Sequence, residues 1–166
     1  MPYYRDTSGN IVYFASIAYA HELPAGAVIL SDDEALAVLP TPLNLAIQQQ
    51  IMAVDAACAA AIVGGFPSNA LGTVFTYPSK TTDQQNLAAA VQRSMLPNFT
   101  SVLFWCADRY GNWSMRGHNQ VQIQQVGIDG FNWISKCIAA KAGLEMQIMA
   151  CTDPTQVTKY NWSNPT

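Results

Sequence analysis

No proline interrupts the chain between Pro97 and Pro154, and the longest helical pattern in the sequence lies inside that interval. From Gln120 to about Ala150, two apolar seams recur at helical spacing. One reads Val121, Ile128, Phe131, Ile138 and Ala142. The other reads Ile123, Val126, Trp133, Cys137, Ala140, Leu144 and Ile148. Only Asp129, Lys136, Lys141 and Glu145 carry charge over this stretch. An amphipathic helix turns one apolar stripe to one core. A helix with two seams has to be covered on most of its perimeter, so the pattern predicts that other subunits supply part of the cover. The competing arrangement is a central helix wrapped entirely by its own chain.

A hairpin feeds this helix. Phe104-Trp105-Cys106 and Trp113-Ser114-Met115 read as strands around a turn of Asp108, Arg109, Tyr110, Gly111 and Asn112. Asn119 is placed to cap the long helix. Upstream, Tyr3-Tyr4-Arg5 and Ile11-Val12-Tyr13, extended by Pro2 and Phe14, predict a β-hairpin, and Ala27-Val28-Ile29-Leu30 a third short strand. Ser31 and Glu34 form a capping box for a short helix to about Val38. Pro40-Thr41-Pro42 reads as a linker, after which a helix capped by Thr41 runs to about Val63 and ends at Gly64-Gly65. Its apolar face groups Leu45, Met52, Ala56, Ala59 and Ile62, with Ile47 and Ile51 beside them. Phe66 to Tyr77 reads as a loop and one strand. A further helix is expected from a capping box at Thr81/Gln84 or Thr82/Gln85 to Pro97.

This order predicts an α+β fold: a small N-terminal antiparallel hairpin region, then helix, strand, helix, hairpin and long C-terminal helix. The boundaries fall at residues 1–40 for a β-rich subdomain, 41–151 for the α+β domain and 152–166 for a polar arm. Tyr160 and Trp162 in that arm are candidates for lying across a neighbour.

Composition narrows the function classes. Charged residues are 11% of the chain, against about 25% in a typical domain. Gln, Asn, Thr and Ser take their place, which suits a surface meant to be covered. The net charge of −3 and the lack of a basic run argue against nucleic-acid binding. The polar start is unlike a signal peptide, and the run Ala53 to Val63 is too short, and carries Asp55, for a membrane span. The four cysteines sit in no close spacing and read as reduced, small apolar residues.

The residues that could carry chemistry do not assemble into a motif. His21 and His118 are the two imidazoles. A Cys106–His118 pair across the hairpin is conceivable, yet a histidine beside a glycine turn reads more simply as a solvated loop residue. No GxSxG, GxxxxGK[ST] or GxGxxG occurs. Asp32, Asp33, Glu34 and Asp83 lie at helix starts, and Asp108 forms a turn. The reading gives no catalytic residue, no metal site and no cofactor. Trp105, Tyr110, Trp113 and Trp133 read as a small core between hairpin and long helix, with sugar stacking or a protein anchor as alternatives. Tyr110, at the turn, is the best interface candidate among them.

Several passages together resemble one family. They are Asp55-Ala56-Ala57-Cys58, Ala61-Ile62-Val63-Gly64-Gly65-Phe66, Ala70-Leu71-Gly72, Tyr77-Pro78-Ser79 and Thr82-Asp83-Gln84-Gln85-Asn86-Leu87, followed by Phe104-Trp105-Cys106-Ala107-Asp108, Trp113 and Gln122-Ile123-Gln124-Gln125-Val126-Gly127. The set is similar to a domain family of unknown function in proteins of tailed bacteriophages and prophages, often encoded beside tail-fibre genes. The resemblance covers about Ala53 to Ile148. Phe131 and Trp133 are bulkier than the family pattern. The family has no established catalytic residues to carry over.

The resemblance implies a non-enzymatic structural component of a tail-fibre apparatus, a fibre or adaptor acting in virion assembly and host attachment. It would be made in the host cytoplasm and reside in the virion tail. Expected partners are other tail or tail-fibre proteins and further copies of the chain, a trimer being favoured, with no nucleic acid and no membrane insertion. Two alternatives stand beside it: an assembly chaperone binding the fibre tip, and a tail protein that binds or hydrolyses cell-surface glycans. The candidate contact residues are Tyr110, Val121, Ile128, Phe131, Trp133, Ile138, Tyr160 and Trp162.

Overall fold

The computed structural model of the chain describes residues 3–13, 17–39 and 41–165. The chain divides into two units, Met1–Leu45 and Ala46–Thr166. In the first, β1 (Tyr3–Arg5), β2 (Ile11–Tyr13) and β3 (Val28–Leu30) form an antiparallel sheet in the order β2-β1-β3. The β1–β2 turn is held by Asp6, whose Oδ1 accepts from the backbone N–H groups of Ser8 and Asn10, both at 2.8 Å. A 3-10 helix, Ile17–Glu22, which the sequence reading leaves unassigned, lies between β2 and β3. Helix α1 (Asp32–Val38) starts on the expected capping box: Ser31 Oγ accepts from Glu34 N at 3.2 Å, and the Glu34 carboxylate accepts from Ser31 N at 2.9 Å. Those hydrogen bonds hold the Glu34 carboxyl below the usual carboxylate range. Leu30 and Ala35 are buried. Pro2 and Phe14 of the expected hairpin, and Pro40 of the expected linker, lie outside the described residues.

Helix α2 (Pro42–Val63) starts on Thr41, whose Oγ1 accepts from Asn44 N at 3.2 Å. The second unit then adds β4 (Phe66–Ser68), β5 (Phe75–Tyr77), α3 (Thr81–Ser94), β6 (Val102–Ala107), β7 (Trp113–His118), α4 (Gln120–Met149) and α5 (Pro154–Val157). Its sheet runs β4-β5-β6-β7, antiparallel throughout. The α+β class and the long C-terminal helix are as expected.

Two local expectations change. The loop before β5 contains a further strand, β4, paired Phe66 with Tyr77. Pro67 hides it in the sequence, yet β4 is an edge strand, where the missing N–H breaks no ladder. Helix α3 is capped at Lys80, one residue before the first expected capping box and two before the second: Lys80 N donates to Asp83 Oδ2 at 3.0 Å, and Gln84 turns back to the Ser79 carbonyl at 2.8 Å.

Phe66, Tyr77, Leu87, Phe104, Cys106, Ile123 and Val126 build the core of this unit. Helix α4 reaches it through Gly130, where a Cβ would sit 2.9 Å from the Phe66 ring. At Gly127 a Cβ would sit 2.8 Å from Val91. Mid-helix glycine costs about 0.5–1 kcal/mol against alanine, so each residue trades helix propensity for close packing on β4 and α3. The N-terminus of α4 carries a reciprocal cap: Asn119 Oδ1 accepts from Gln122 N at 3.0 Å, and Gln122 Oε1 accepts from Asn119 N at 2.9 Å. Replacing Asn119 by alanine is expected to lower stability by about 1 kcal/mol, read as a lower urea midpoint with an unchanged slope.

Candidate functional site

The buried side of α4 is the second seam of the sequence. Ile123, Val126, Cys137 and Ile148 are fully buried, and Trp133, Ala140 and Leu144 are half-buried. The first seam faces outward. Val121 is 74% exposed, Phe131 71%, Ile128 53% and Ile138 53%, and Ala142 is exposed as well. Met146 and Met149 extend the same apolar surface to the end of the helix. The single chain therefore covers one side of α4 and leaves the other open.

Helix α2 is two-sided in the same sense. The expected apolar face is not the one that meets α4. Val54 and Cys58 are buried, with Ile47, Ile51 and Ala61 partly covered on the same side, while Leu45, Met52, Ala56 and Ala59 point away. The sequence cannot separate these faces, because α2 is apolar nearly all round and its hydrophobic pattern has little direction. Within the second unit α2 lies antiparallel to α4. The Trp133 indole N–H donates to the Ala61 carbonyl at 3.2 Å, Cys58 Sγ lies 3.6 Å from the Cys137 carbonyl, and Lys141 Nζ donates to Asp55 Oδ1 at 2.7 Å. Lys141 also meets Glu145 at 3.4 Å. Asp55, then Glu145, hold the Lys141 ammonium above its usual range. Asp55 is the one charged residue of α2, and the pairing balances its charge while its side chain stays 46% exposed. The segment ending in α2 also reaches the length and apolarity at which a helix can cross a membrane, which Ala53–Val63 alone does not.

The open side of α4 borders a groove of about 680 Å³ between α3 and α4, lined by Leu87, Val91, Met95, Ile128 and Phe131 among others. Among the described residues, no charged side chain lines it.

The four aromatics around the hairpin do not form the expected small core. Trp133 faces α2, and its indole N–H is taken, so it is not available to a partner. Trp105 and Trp113 stand on the outer face of the sheet at 49% and 47% exposure, beside Leu103 and Met115. The alternation of β6 and β7 explains this: Phe104, Cys106 and His118 point inward, so their neighbours point out. Two hollows meet at Trp105. One is lined by Lys80, Asp83 and Trp113, the other by Asn86, Arg93 and Met115, with Asp83 shared. Tyr110 is 72% exposed at the turn, with the Arg109 guanidinium 4.7 Å from its ring centre.

His118 is not the solvated loop residue expected of it. It closes β7 and is fully buried. Its Nδ1 faces the Arg116 carbonyl at 2.9 Å, which can only accept, so Nδ1 carries the proton. Nε2 then accepts from the Tyr77 hydroxyl at 2.7 Å. Cys106 shares this buried neighbourhood, but the hydrogen-bond partner of His118 is Tyr77. Burial pushes the His118 pKa below the usual imidazole range, the Arg116 carbonyl opposing it, and raises the Tyr77 phenol and the Cys106 thiol. A folded-state pKa below the unfolded one contributes stability above the unfolded value and loses it as pH falls. The denaturation midpoint is therefore expected to hold above about pH 7 and to decline as pH falls below about 6.5. In His118→Asn that share of the slope disappears.

The C-terminal residues are laid against their own unit. Cys151 and Val157 are buried, and the Tyr160 carbonyl accepts from Gln50 at 2.7 Å. Tyr160 and Trp162 are half-buried, and Trp162 Nε1 donates to Asn164 at 3.0 Å. Cys58, Cys106, Cys137 and Cys151 are free and buried.

Among known families, the one described as a domain of unknown function (DUF4376) matches residues 46–161. No curated protein and no solved structure is significantly similar to the chain. With most of its length matched, the chain belongs to the DUF4376 family, and the matched span begins where the second structural unit begins.

Proposed function

We propose that this member of the DUF4376 family acts without catalysis, as a structural component of a tailed-phage tail-fibre apparatus. In this reading it is a fibre or adaptor protein that associates with its own copies and with other tail proteins in virion assembly and host attachment. One observation carries the reading. The outer side of α4 leaves Val121, Ile128, Phe131, Ile138, Met146 and Met149 more than half exposed. Monomeric proteins rarely leave apolar patches larger than a few hundred Å² open, and large exposed patches mark association sites. The tail-fibre assignment rests on the motif resemblance. Mass spectrometry of purified phage particles that encode the protein tests it: the chain is expected among the virion tail proteins, and its absence from intact, infectious particles contradicts the reading.

A second reading has its own observation. Trp105 and Trp113 offer two half-exposed indoles on one sheet face, next to Asp83, Asn86 and Arg93. Flat aromatic surface with hydrogen-bonding groups at its edge suits a saccharide. Titrating soluble host-surface oligosaccharides against tryptophan fluorescence tests this, with Trp105→Ala expected to weaken binding at least tenfold. Silence across a glycan array ends this reading and leaves the first untouched.

A further inference from the structure

The outer face of the β6–β7 ladder is an open aromatic platform. Trp105 stands directly across from Met115, and Trp113 lies one diagonal step from Trp105. Leu103 faces Gly117, which adds no side chain to that end of the face. The two hollows that meet at Trp105 measure about 360 and 420 Å³. Both lie within the roughly 300–1,000 Å³ typical of small-molecule sites.

Each hollow has one cation in its wall, Arg93 in the smaller and Lys80 in the larger. Among the described residues, neither side chain takes part in an ion pair. The anion common to both hollows is Asp83, and it already has work at the start of α3. One of its oxygens accepts from Lys80 N at 3.0 Å, and a helix N-terminus favours a negative charge. The chain as a whole carries −3. This face reverses that balance, with two unpaired cations beside two indoles and a carboxylate held by a cap.

We propose that the platform binds an acidic oligosaccharide, a sugar carboxylate on Arg93, one ring on Trp105 and the next toward Trp113 and Lys80. The proposal rests on the saccharide reading above and adds to it the charge of the ligand and its least length. Charge complementarity selects the occupant. A guanidinium presents paired N–H donors that match the two oxygens of a carboxylate. Asn86, in the same hollow, offers an amide to ring hydroxyls. A neutral glycan would use the indoles and leave both cations unanswered. An acidic peptide would answer the cations but brings no rigid, flat C–H face to the indoles. Trp105 belongs to both hollows, so a ring stacked on it sends its neighbours into each. The ligand is therefore a short chain of sugars rather than a single one.

An array carrying oligogalacturonides and sialylated oligosaccharides, each printed beside its methyl ester, tests this with the full chain. Esterification removes the charge and keeps the ring. The acids are expected to bind at least about tenfold more tightly than their esters, and added salt is expected to narrow that gap. The gap is expected to close in Arg93→Gln and to narrow in Lys80→Gln, with far-UV circular dichroism checking the fold of both. Equal binding of acids and esters overturns the proposal and leaves the saccharide reading standing. So does an acid preference that persists in both variants. Displacement of a bound acid by poly-L-glutamate at equal carboxylate concentration overturns it in favour of an acidic peptide. Silence of the whole array ends the proposal and the saccharide reading together.

Discussion

Tyr77→Ala is expected to cost about 3–5 kcal/mol, on the scale of large aromatic truncations in a core, and to leave little folded protein at room temperature if the domain has ordinary stability. Tyr77 is 0% exposed. Its ring stacks on Phe66 at 5.7 Å and on Phe104 at 6.5 Å, so it joins β4, β5 and β6 in one layer. Removing it opens a cavity between three strands that α4 cannot close, because α4 is already seated on Phe66 at Gly130. Tyr77→Phe isolates the hydroxyl. It keeps the ring and leaves the buried Nε2 of His118 without its donor, an expected loss of about 1–3 kcal/mol. The two losses come from urea denaturation midpoints of the full chain. Equal midpoints for Tyr77→Phe and the parent would mean that the 2.7 Å hydrogen bond contributes nothing net.

The second large effect is expected at Gly65. Its φ is +109°, and a Cβ there would lie 2.7 Å from the Tyr77 carbonyl oxygen. The atom in the way is backbone in the β4–β5 ladder and cannot rotate aside. Gly65→Ala combines an unfavourable backbone conformation, about 1–3 kcal/mol, with overpacking of about 1–3 kcal/mol. Gly72 is the internal comparison. It has φ +88° and open space around it, so Gly72→Ala is expected to cost only the left-handed conformation, about 1–2 kcal/mol. If the two variants melt at the same temperature, the close approach at Gly65 carries no weight.

These contrasts show where the sequence could be read and where it could not. The ends of α1, α2 and α4 were legible because caps are local: Ser31 with Glu34, Thr41 before Pro42, and Asn119 with Gln122 need no tertiary knowledge. The two seams of α4 were legible because its long apolar columns recur at fixed helical spacing. The faces of α2 were not, since alanine on every side removes the contrast that periodicity needs. The burial of His118 was not legible for a related reason. Its neighbour Gly117 looks like a turn residue, but it lies inside β7, whose period of two turns His118 inward and Trp113 outward. The inward place of His118 depends on Tyr77, 41 residues away, and no local pattern reports that pairing. The same alternation moved Trp105 and Trp113 from an expected core to the outer surface of the sheet. Of the expected contact residues, Tyr110, Val121, Ile128, Phe131 and Ile138 stand open, while Trp133 is spent on α2.

The central claim is that the single chain leaves the outer side of α4 uncovered and that other copies cover it. Multi-angle light scattering of the full chain across a dilution series tests this most directly. The expected mass is three times the chain's 18.0 kDa, stable into the low micromolar range. A mass of 18.0 kDa at every concentration, from a soluble and folded sample, would contradict the claim.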